Sequence, residues 1–267
     1  MNKRRYFLIV NLIAGQGHCK EIFPQVKAEL DRRGLDYDLH FTNEPLEAID
    51  VAQMVIEAGF THIVAMGGDG TINEVANGIL NSKSSYPLGV IPAGSGNDFV
   101  RMTGIPADPM HAIDTLVSGE ERTIDLGHVV GDRYFVNGLG IGIDAQVARD
   151  VLKMERLRGT VAYLYAAIKE VIRFKAFPVK LTGTDWTEER EFISLGIANN
   201  KYAGGGFKLA PRAEIDDGLV DITAIEDFSS RFKRLINLPK ARKGTHLKLN
   251  EVHYHQDRSV TVSSPAK

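Results

Sequence analysis

The clearest chemical signal in the sequence is a glycine-rich run at residues 67–74, which reads Gly-Gly-Asp-Gly-Thr-Ile-Asn-Glu. It follows a predicted strand and begins a predicted helix. Glycines let a chain turn tightly and let a phosphate approach its amides, and the N–H groups at a helix N-terminus attract an anion. The spacing of Thr71 and Glu74 predicts a capping box with Thr71 at the helix start. Asp69 does not suit a pure anion site, so we expect it to meet Mg²⁺ or a nucleotide hydroxyl.

Two other phosphate-binding motifs do not fit this sequence. No Gly-x-x-x-x-Gly-Lys-Ser/Thr occurs in it, which excludes a P-loop enzyme. Gly15-Gln16-Gly17 begins like a dinucleotide fingerprint, but Lys20 stands where the third glycine should be, so a Rossmann dehydrogenase is poorly supported. The structural alternative for residues 67–74 is a plain glycine-rich turn before a capped helix. The paired glycines together with the acid favour the phosphate site.

Strand-like and helix-like segments alternate in the first half of the chain and must position this loop. The predicted strands are residues 6–11, 36–42, 62–66 and 88–92, and the predicted helices are residues 22–33, 46–58 and 71–80. This alternation predicts a doubly wound α/β domain with a parallel sheet, which binds ligands at the carboxyl ends of its strands. Because all three glycine-rich loops follow strands, we expect them to gather at one edge of the sheet.

The pattern changes at about residue 123 to short strands. These are residues 123–130, 134–140, 179–182, 192–199, 219–225 and 259–262. They predict a mostly antiparallel sandwich or barrel, with one helix at residues 160–174 and its loosest segment at residues 239–244. We expect the large apolar residues around that helix to be core rather than lipid pocket: Tyr163, Tyr165, Ile168, Ile172 and Phe174. The chain therefore divides into an α/β domain (residues 1–125) and a β-rich domain (residues 126–267).

The composition excludes several classes of protein. Hydrophobic residues make up 43% of the chain, so disorder throughout is excluded, and a net charge of −2 gives no basic field for nucleic acid. The single cysteine, Cys19, cannot form an internal disulfide, which fits a reducing cytoplasm. We expect Cys19 to be a structural residue of a loop or helix start rather than a nucleophile. No apolar stretch approaches the ~18 residues that a membrane span needs, so any membrane contact is expected to be peripheral.

Four motifs in order resemble those of a known family. Residues 67–75 look like the nucleotide loop of diacylglycerol, sphingosine and ceramide kinases, although NAD kinases and phosphofructokinases carry similar loops. Residues 87–101 closely match the second signature of the lipid kinases, with Ser95 where that family often has Thr. Residues 11–15 stand in the place of the family's first loop, with Leu12 for the usual proline, and residues 204–219 resemble its third signature. The resemblance runs from residue 6 to about residue 262.

The resemblance to bacterial diacylglycerol kinases implies a fold and an ATP site. The fold would be an NAD-kinase- and phosphofructokinase-like α/β domain followed by a β-rich sandwich, with ATP and the lipid hydroxyl in the cleft between them. Asp69 would be essential for the Mg-nucleotide. The implied nucleotide-binding residues are Asn11, Leu12, Ile13, Ala14, Gly15, Thr42, Gly67, Gly68, Asp69, Gly70, Thr71, Ile72, Asn73, Glu74, Ser95, Asn97 and Asp98.

The family also implies a structural Mg²⁺ and a general base. Asp217 would ligate the ion, together with backbone oxygens of Glu214 and Leu219; a plain hairpin turn is the alternative for Asp216-Asp217-Gly218. The base would be the acid of an Asp-Gly-Glu motif that takes the proton from the lipid hydroxyl. No Asp-Gly-Glu occurs in residues 1–267. We expect the base in a C-terminal segment beyond Lys267; the alternative is a catalytically dead protein.

The implied function is a cytoplasmic lipid kinase that transfers the ATP γ-phosphate to the hydroxyl of diacylglycerol or a similar membrane lipid. Basic residues at 231–234 and 239–243 could contact an anionic membrane or simply be solvated. His253 and His255 are expected to be surface histidines rather than metal ligands, since no third ligand is visible. An NAD kinase and a nucleotide- or lipid-binding relic are the rival functions, and a homodimer stays open as the assembly.

Overall fold

The structure, a computed structural model, describes residues 4–82, 86–131, 133–154 and 159–265. The chain forms two units. Unit 1 runs to Thr123 and also takes in His128–Val136, whereas unit 2 takes in Ile124–Gly127 and continues from Asn137. The predicted boundary after residue 125 lies in the segment where the chain passes between the units.

Unit 1 contains the predicted parallel sheet. Its strands are β1 (Arg5–Val10), β2 (Asp36–Phe41), β3 (His62–Gly67) and β4 (Leu88–Pro92), in the order β2-β1-β3-β4 with every pair parallel. The inner strands β1 and β3 are almost wholly buried, as expected of strands covered by helices on both faces. The α/β fold class predicted for the first half of the chain is therefore confirmed.

Five helices belong to unit 1. They are α1 (His18–Arg32), α2 (Glu47–Glu57), α3 (Asp69–Asn81), α4 (Asp98–Thr103) and α5 (Pro109–Ser118). The sequence analysis missed α4 and α5, although α5 begins with a recognisable signal. The Asp108 carboxylate accepts hydrogen bonds from the amides of Met110 and His111, and Pro109 occupies the first turn.

A two-stranded sheet of β5 (Gly127–Val129) and β6 (Arg133–Phe135) follows. Asn77 of α3 fixes β6, because its amide group accepts from the N–H of Tyr134 and donates to the carbonyl of Tyr134, each at 2.9 Å. The single strand predicted at residues 134–140 is wrong: the chain leaves β6 after Phe135, and the next strand begins at Gly138.

Unit 2 is antiparallel and β-rich, as predicted. Its strands are β7 (Gly138–Gly142), β8 (Phe177–Thr182), β9 (Thr187–Ala198), β10 (Val220–Glu226), β11 (Val252–Asp257) and β12 (Thr261–Ser263). The sheet order is β11-β10-β9-β8-β12, and β7 also pairs with β9. The long strand β9 thus carries neighbours on both edges and organises the unit.

Three helices pack onto this sheet: α6 (Ile143–Leu152), α7 (Gly159–Arg173) and α8 (Arg231–Lys243). The segment at residues 239–244, predicted to be loose, is instead the last turn of α8, which runs through Pro239 and ends at Gly244 with φ +74°. Arg234 attaches this helix to the end of α7 by donating to the carbonyls of Val171 and Phe174. The helix thus continues past a proline, which the sequence pattern does not predict.

Helix α7 corrects one prediction about the core. Ile172 and Phe174 are half-buried, but Tyr165 and Ile168 are exposed. Tyr163 lies outside the side chains that the structure describes. Ala166, Ala167 and Val171 form the buried face of α7, so the side chains of Tyr165 and Ile168 point away from the core.

Candidate active site

The glycine-rich loops after β1, β3 and β4 meet at the carboxyl edge of the sheet of unit 1. Gly68 and Gly94 lie so close that a Cβ atom on Gly94 would stand 2.4 Å from the Cα of Gly68. Gly15, with φ +60°, approaches the carbonyl of Ala93 in the same way. Side chains at these positions would push the loops apart. The predicted gathering of the loops is thus seen in the geometry of unit 1.

Asp69 joins the loops after β3 and β4. It is the first residue of α3, and its carboxylate accepts hydrogen bonds from the backbone N–H groups of Asp98 at 3.1 Å and Phe99 at 2.8 Å. Those two amides begin α4, where a negative charge is favoured by the helix dipole. The contacts hold the carboxylate at the edge of the sheet.

The predicted capping box of Thr71 and Glu74 is wrong. Helix α3 begins two residues earlier, with Gly68 as its N-cap and no side-chain cap. The Asn11 amide donates to the Thr71 hydroxyl at 3.2 Å, which ties the first loop to α3. Glu74 accepts from backbone N–H groups at the start of α2, those of Leu46 and Ala48, while burial raises the pKa of its carboxyl.

The other predicted nucleotide residues divide by what they can offer. Residues at the loop surface are Ile13 and Ser95, which are exposed, and Asn97, which has φ +52° and accepts from the Gly94 N–H at 3.0 Å. A Cβ atom on Gly70 would have nothing within 4 Å of it. These positions can present amides or side chains to a ligand.

Several predicted residues offer only backbone groups or support. Ile72 is fully buried, and Leu12 and Ala14 pack against the core of unit 1. Thr42 follows β2 and donates its backbone N–H to the carbonyl of Val10 at 3.0 Å. The side-chain oxygen of Asn73 accepts from the Val136 N–H at 3.1 Å and so positions the end of the β6 segment. This supporting role of Asn73 could not be read from the sequence.

The predicted metal residues lie in a tight turn before β10 in unit 2. The Asp217 carboxylate accepts from the Leu219 N–H at 3.0 Å, and the Gly218 N–H donates to Asp125 at 2.7 Å. Glu214 points its carboxylate to Lys201 at 3.6 Å. The turn therefore has the carboxylates of Asp125 and Asp217 on consecutive backbone N–H groups, and carboxylate oxygens are donors that Mg²⁺ prefers.

Asp221, which the sequence analysis missed, lies close enough to this turn to interact with the charges of Asp217 and Glu214. Its side chain is fully buried, and its Oδ2 has no hydrogen-bond partner among the residues described. Burial, and then the negative charges of Asp217 and Glu214, raise the pKa of Asp221 to about 6. A buried carboxylate near other acids is costly unless positive charge compensates it. The acids at this turn do not form a group of three that could hold a metal ion among the described residues, so the predicted Mg²⁺ stays a prediction.

The predicted general base falls outside the described part of the chain. We expected this acid beyond Lys267, and Lys267 itself lies outside the described residues, which end at Pro265. Up to that point the chain is attached to the sheet of unit 2, because β12 pairs with β8 and the Ser264 hydroxyl donates to the carbonyl of Pro178 at 2.6 Å. The position of the base therefore stays a prediction.

An apolar cavity of about 90 Å³ lies inside unit 2, under α6, α7 and α8. Its walls include Val147, Val171 and Leu238. Polar residues also face it, and two of them form a pair in which the Ser194 hydroxyl donates to the Asp144 carboxyl at 2.7 Å. Burial raises the pKa of Asp144 above its ordinary range, because an apolar surrounding disfavours the charged form.

His253 and His255 are not the plain surface histidines that we expected. His253 lies between Glu188 and Glu226, with nitrogen–oxygen distances of 2.7 and 2.8 Å, and His255 contacts Glu188 at 3.1 Å while stacking on Trp186. No group of three or more His, Cys, Asp or Glu within the described ranges could hold a metal ion. The two histidines belong to a polar cluster within the sheet.

Comparisons with known proteins place this fold and site in one class. A family model described as "Diacylglycerol kinase catalytic domain" matches residues 5–129, and one described as "YegS C-terminal NAD kinase beta sandwich-like domain" matches residues 138–267. The class defined by these two parts is that of the lipid kinases. The chain belongs to the diacylglycerol kinase family of lipid kinases, which favours this assignment over an NAD kinase.

Individual relatives agree with this assignment. The chain is 31% identical to a protein named "Diacylglycerol kinase" from Staphylococcus saprophyticus, over 98% of this chain and 86% of the relative. It is 33% identical to a protein named "Probable lipid kinase YegS-like" from Pseudomonas syringae pv. tomato, over 84% of this chain and 72% of the relative.

Solved structures show the same fold. A crystal structure described as a diacylglycerol kinase from Bacillus anthracis str. Sterne superposes with a TM-score of 0.74 at 23% identity, over 100% of this chain and 87% of the other. A second structure from that organism gives a TM-score of 0.79 at 25% identity, over 99% of this chain and 88% of the other. In the part of the chain that the structure describes, no helix is long and apolar enough to cross a membrane.

Proposed function

We propose that this protein is an ATP- and Mg²⁺-dependent kinase that phosphorylates the hydroxyl of diacylglycerol or a similar membrane lipid. The observation that carries the proposal is the contact of the loops after β3 and β4 through Gly68, Gly94 and Asp69. It creates a rigid edge where backbone amides, a helix start and one carboxylate converge. Phosphoryl transfer depends mainly on such positioning and on neutralisation of charge.

The loop residues have separate tasks in this proposal. The amides around Gly68 and Gly70 at the start of α3 bind phosphate oxygens, supported by the positive end of the helix. Asp69 holds the Mg²⁺ of the nucleotide, and this ion neutralises charge on the phosphates when it is bound. Ser95 and Asn97 complete the phosphate side, and residues 11–15 with Thr42 line the nucleotide on the neighbouring strands.

A second Mg²⁺ has a structural task in the same proposal. Asp217 with the carbonyls of Glu214 and Leu219 would hold it, and Asp221 would supply buried negative charge beside it. The ion would fix the turn before β10. Its binding would also offset the cost of burying the Asp221 Oδ2, which has no hydrogen-bond partner among the described residues.

The acceptor is proposed to be a lipid because unit 2 contains the apolar cavity under α6, α7 and α8. A volume of about 90 Å³ admits only a few methylene groups, so the helices would have to separate to take up a longer chain. The family pattern assigns the proton acceptor to the acid of an Asp-Gly-Glu motif, which residues 1–267 do not contain. We propose that this acid follows Lys267 in the protein that the cell makes.

The cytoplasmic face of a membrane is the proposed place of action. Helix α8 carries six basic residues and no acid, and five of the six are exposed. Anionic lipids attract such segments by about 1 kcal/mol for each basic residue near the surface. Peripheral contact through α8 would bring the enzyme to its substrate.

The test is transfer of labelled γ-phosphate from ATP to diacylglycerol in mixed micelles with Mg²⁺. The protein as the cell makes it is assayed beside the 267-residue chain and an Asp69→Ala variant. We expect labelled phosphatidic acid from the cell-made protein and none from the variant. Label from the 267-residue chain as well would place the base within it.

Two other outcomes would change the proposal. Label in NAD or in another lipid, but not in diacylglycerol, would keep the ATP site and replace the acceptor. ATP binding with no transfer to any acceptor would contradict the kinase proposal and favour a binding relic.

A further inference from the structure

Helix α7 presents an apolar face to solvent as well as to the core. Val161, Leu164, Tyr165 and Ile168 are exposed by 63%, 39%, 54% and 39%. Their spacing of three and four residues places them on one side of the helix. We call these four side chains the α7 stripe. The residues from 159 to 168 include no charged side chain.

The opposite side of α7 already has its packing partners. Ala166, Ala167 and Val171 are buried against Ile143 and Phe228 among others. A surface helix of a soluble protein normally turns polar residues outward, and a helix that is apolar on both faces normally has a partner on both. A contiguous exposed apolar patch marks an interaction surface. Among the residues that the structure describes, nothing covers the α7 stripe as its composition implies.

The neighbouring helix indicates the charge of that partner. Arg234 of α8 is buried and donates to the carbonyls of Val171 and Phe174, so α8 is attached to the end of α7. The remaining basic residues of α8 are exposed: Arg231, Lys233, Lys240, Arg242 and Lys243. Between them, Phe232 and Ile236 are exposed by 70% and 54%. Exposed aromatic and aliphatic side chains among cations are typical of helices that lie in a membrane interface.

We propose that the α7 stripe inserts into the interfacial layer of an anionic phospholipid bilayer, with the basic residues of α8 as its electrostatic support. This inference rests on the proposed lipid-kinase function, since the acceptor lies in that bilayer. Tyr165 suits the location because its ring is apolar and its hydroxyl polar.

A second copy of the chain is the main alternative occupant, and charge argues against it. A two-fold dimer through the α7 stripe would bring two α8 helices, each with five exposed cations and no acid, to one interface. Like charges across an interface repel and suppress association. An anionic bilayer satisfies the apolar stripe and the cations together.

The test is co-sedimentation of the full chain with vesicles. We compare vesicles of phosphatidylglycerol and phosphatidylcholine with vesicles of phosphatidylcholine alone, for the unchanged protein and for a Leu164→Ser/Ile168→Ser variant. The matched control is Val130→Ser, which changes an isolated apolar residue of unit 1 that is 98% exposed. We expect binding to the anionic vesicles, a loss of about tenfold or more in the double variant, and no loss in the control.

Kinase assays on the protein as the cell makes it separate this proposal from the proposed function. Phosphorylation of a short-chain diacylglycerol, supplied below its micelle concentration, should be equal in that protein and in its double variant, whereas phosphorylation of diacylglycerol in vesicles should fall in the variant. Failure of both proteins on the soluble acceptor would contradict the lipid-kinase proposal and leave the vesicle result standing.

Three results would overturn the docking proposal itself. The double variant could bind anionic vesicles as tightly as the unchanged protein. The unchanged protein could bind neither type of vesicle, or both equally. Sedimentation equilibrium could also show a dimer that the double substitution dissociates, which would assign the α7 stripe to a second copy.

Discussion

At the scale of single residues, Asp69 has one task that the structure shows and a second that we propose. Its carboxylate holds two loops together by accepting hydrogen bonds from the backbone N–H groups of Asp98 and Phe99. It is also the acid that we propose for the Mg-nucleotide. A substitution affects both tasks, so a test needs a control acid that contacts backbone amides but has no proposed ligand. Asp108 is such a control, because its carboxylate accepts two amides at the start of α5.

Asp69→Asn is predicted to lower the rate of phosphoryl transfer by about 100-fold or more, because a neutral amide cannot balance the charge of the Mg²⁺ that accompanies the nucleotide. The measurement is the rate of transfer to diacylglycerol at saturating ATP. Asp108→Asn is the control, and both variants should lose about 0.5–2 kcal/mol of unfolding free energy or less. Equal transfer rates in the two variants would show that Asp69 has only the structural task.

Cys19 is predicted to be unreactive in the folded protein. It is fully buried in α1, and burial raises the pKa of its thiol to about 11. The thiolate is the reactive form and appears only as the pH rises towards that value, so almost none exists at a pH of about 8. Titration with a thiol reagent at that pH should detect no group in the native protein and one after unfolding. Rapid labelling of the native protein would contradict the burial.

At the scale of elements, the active edge depends on glycines for two different reasons. Gly94 has the backbone of Gly68 against it, whereas Gly70, in the first turn of α3, has nothing within 4 Å of the place where a Cβ would stand. The sequence shows both as glycines of a phosphate loop. Only the structure shows which one is required by a close approach and which is not.

Gly94→Ala is therefore predicted to separate the loops after β3 and β4, because its methyl group would lie 2.4 Å from the Cα of Gly68. A misplacement of about 1 Å lowers the rate of phosphoryl transfer by roughly 100-fold, because the reacting atoms must be aligned. ATP affinity by calorimetry and the rate of transfer are the measurements. Gly70→Ala, the matched control, should keep the loops in contact; equal losses in both variants would refute the steric explanation.

The periodic elements could be predicted from sequence because each carries a local signal. The strands of unit 1 are apolar runs before turns and glycine-rich loops, and all four occur near their predicted positions. The errors lie where tertiary contacts decide. Helix α8 continues through Pro239 and packs Leu235 and Leu238 against the core of unit 2, and Glu74 accepts from the start of α2 rather than capping its own helix. Of the two acids around the predicted metal turn, Asp125 is far from it in sequence and Asp221 lies within strand β10. Neither position could be recognised from the sequence.

At the scale of the whole molecule, the two units are predicted to respond to different ligands. A nonhydrolysable ATP analogue with Mg²⁺ should slow amide hydrogen exchange in unit 1 at residues 11–15, 67–74 and 93–98, because the ligand would order these loops. A diacylglycerol analogue should instead protect the α6 and α8 segments that line the cavity of unit 2. Hydrogen-exchange mass spectrometry measures both, and protection by ATP confined to unit 2 would contradict the nucleotide site.

The division of the chain between the units has a consequence for synthesis on the ribosome. Unit 1 includes His128–Val136, so its last pieces emerge only after the short segment Ile124–Gly127 that belongs to unit 2. Asp125 in that segment accepts from Gly218, 93 residues later. At translation rates of about 5–20 residues per second, Asp125 waits roughly 5–20 s for its partner. During synthesis, the last part of unit 1 therefore emerges while Ile124–Gly127 still lacks the rest of unit 2.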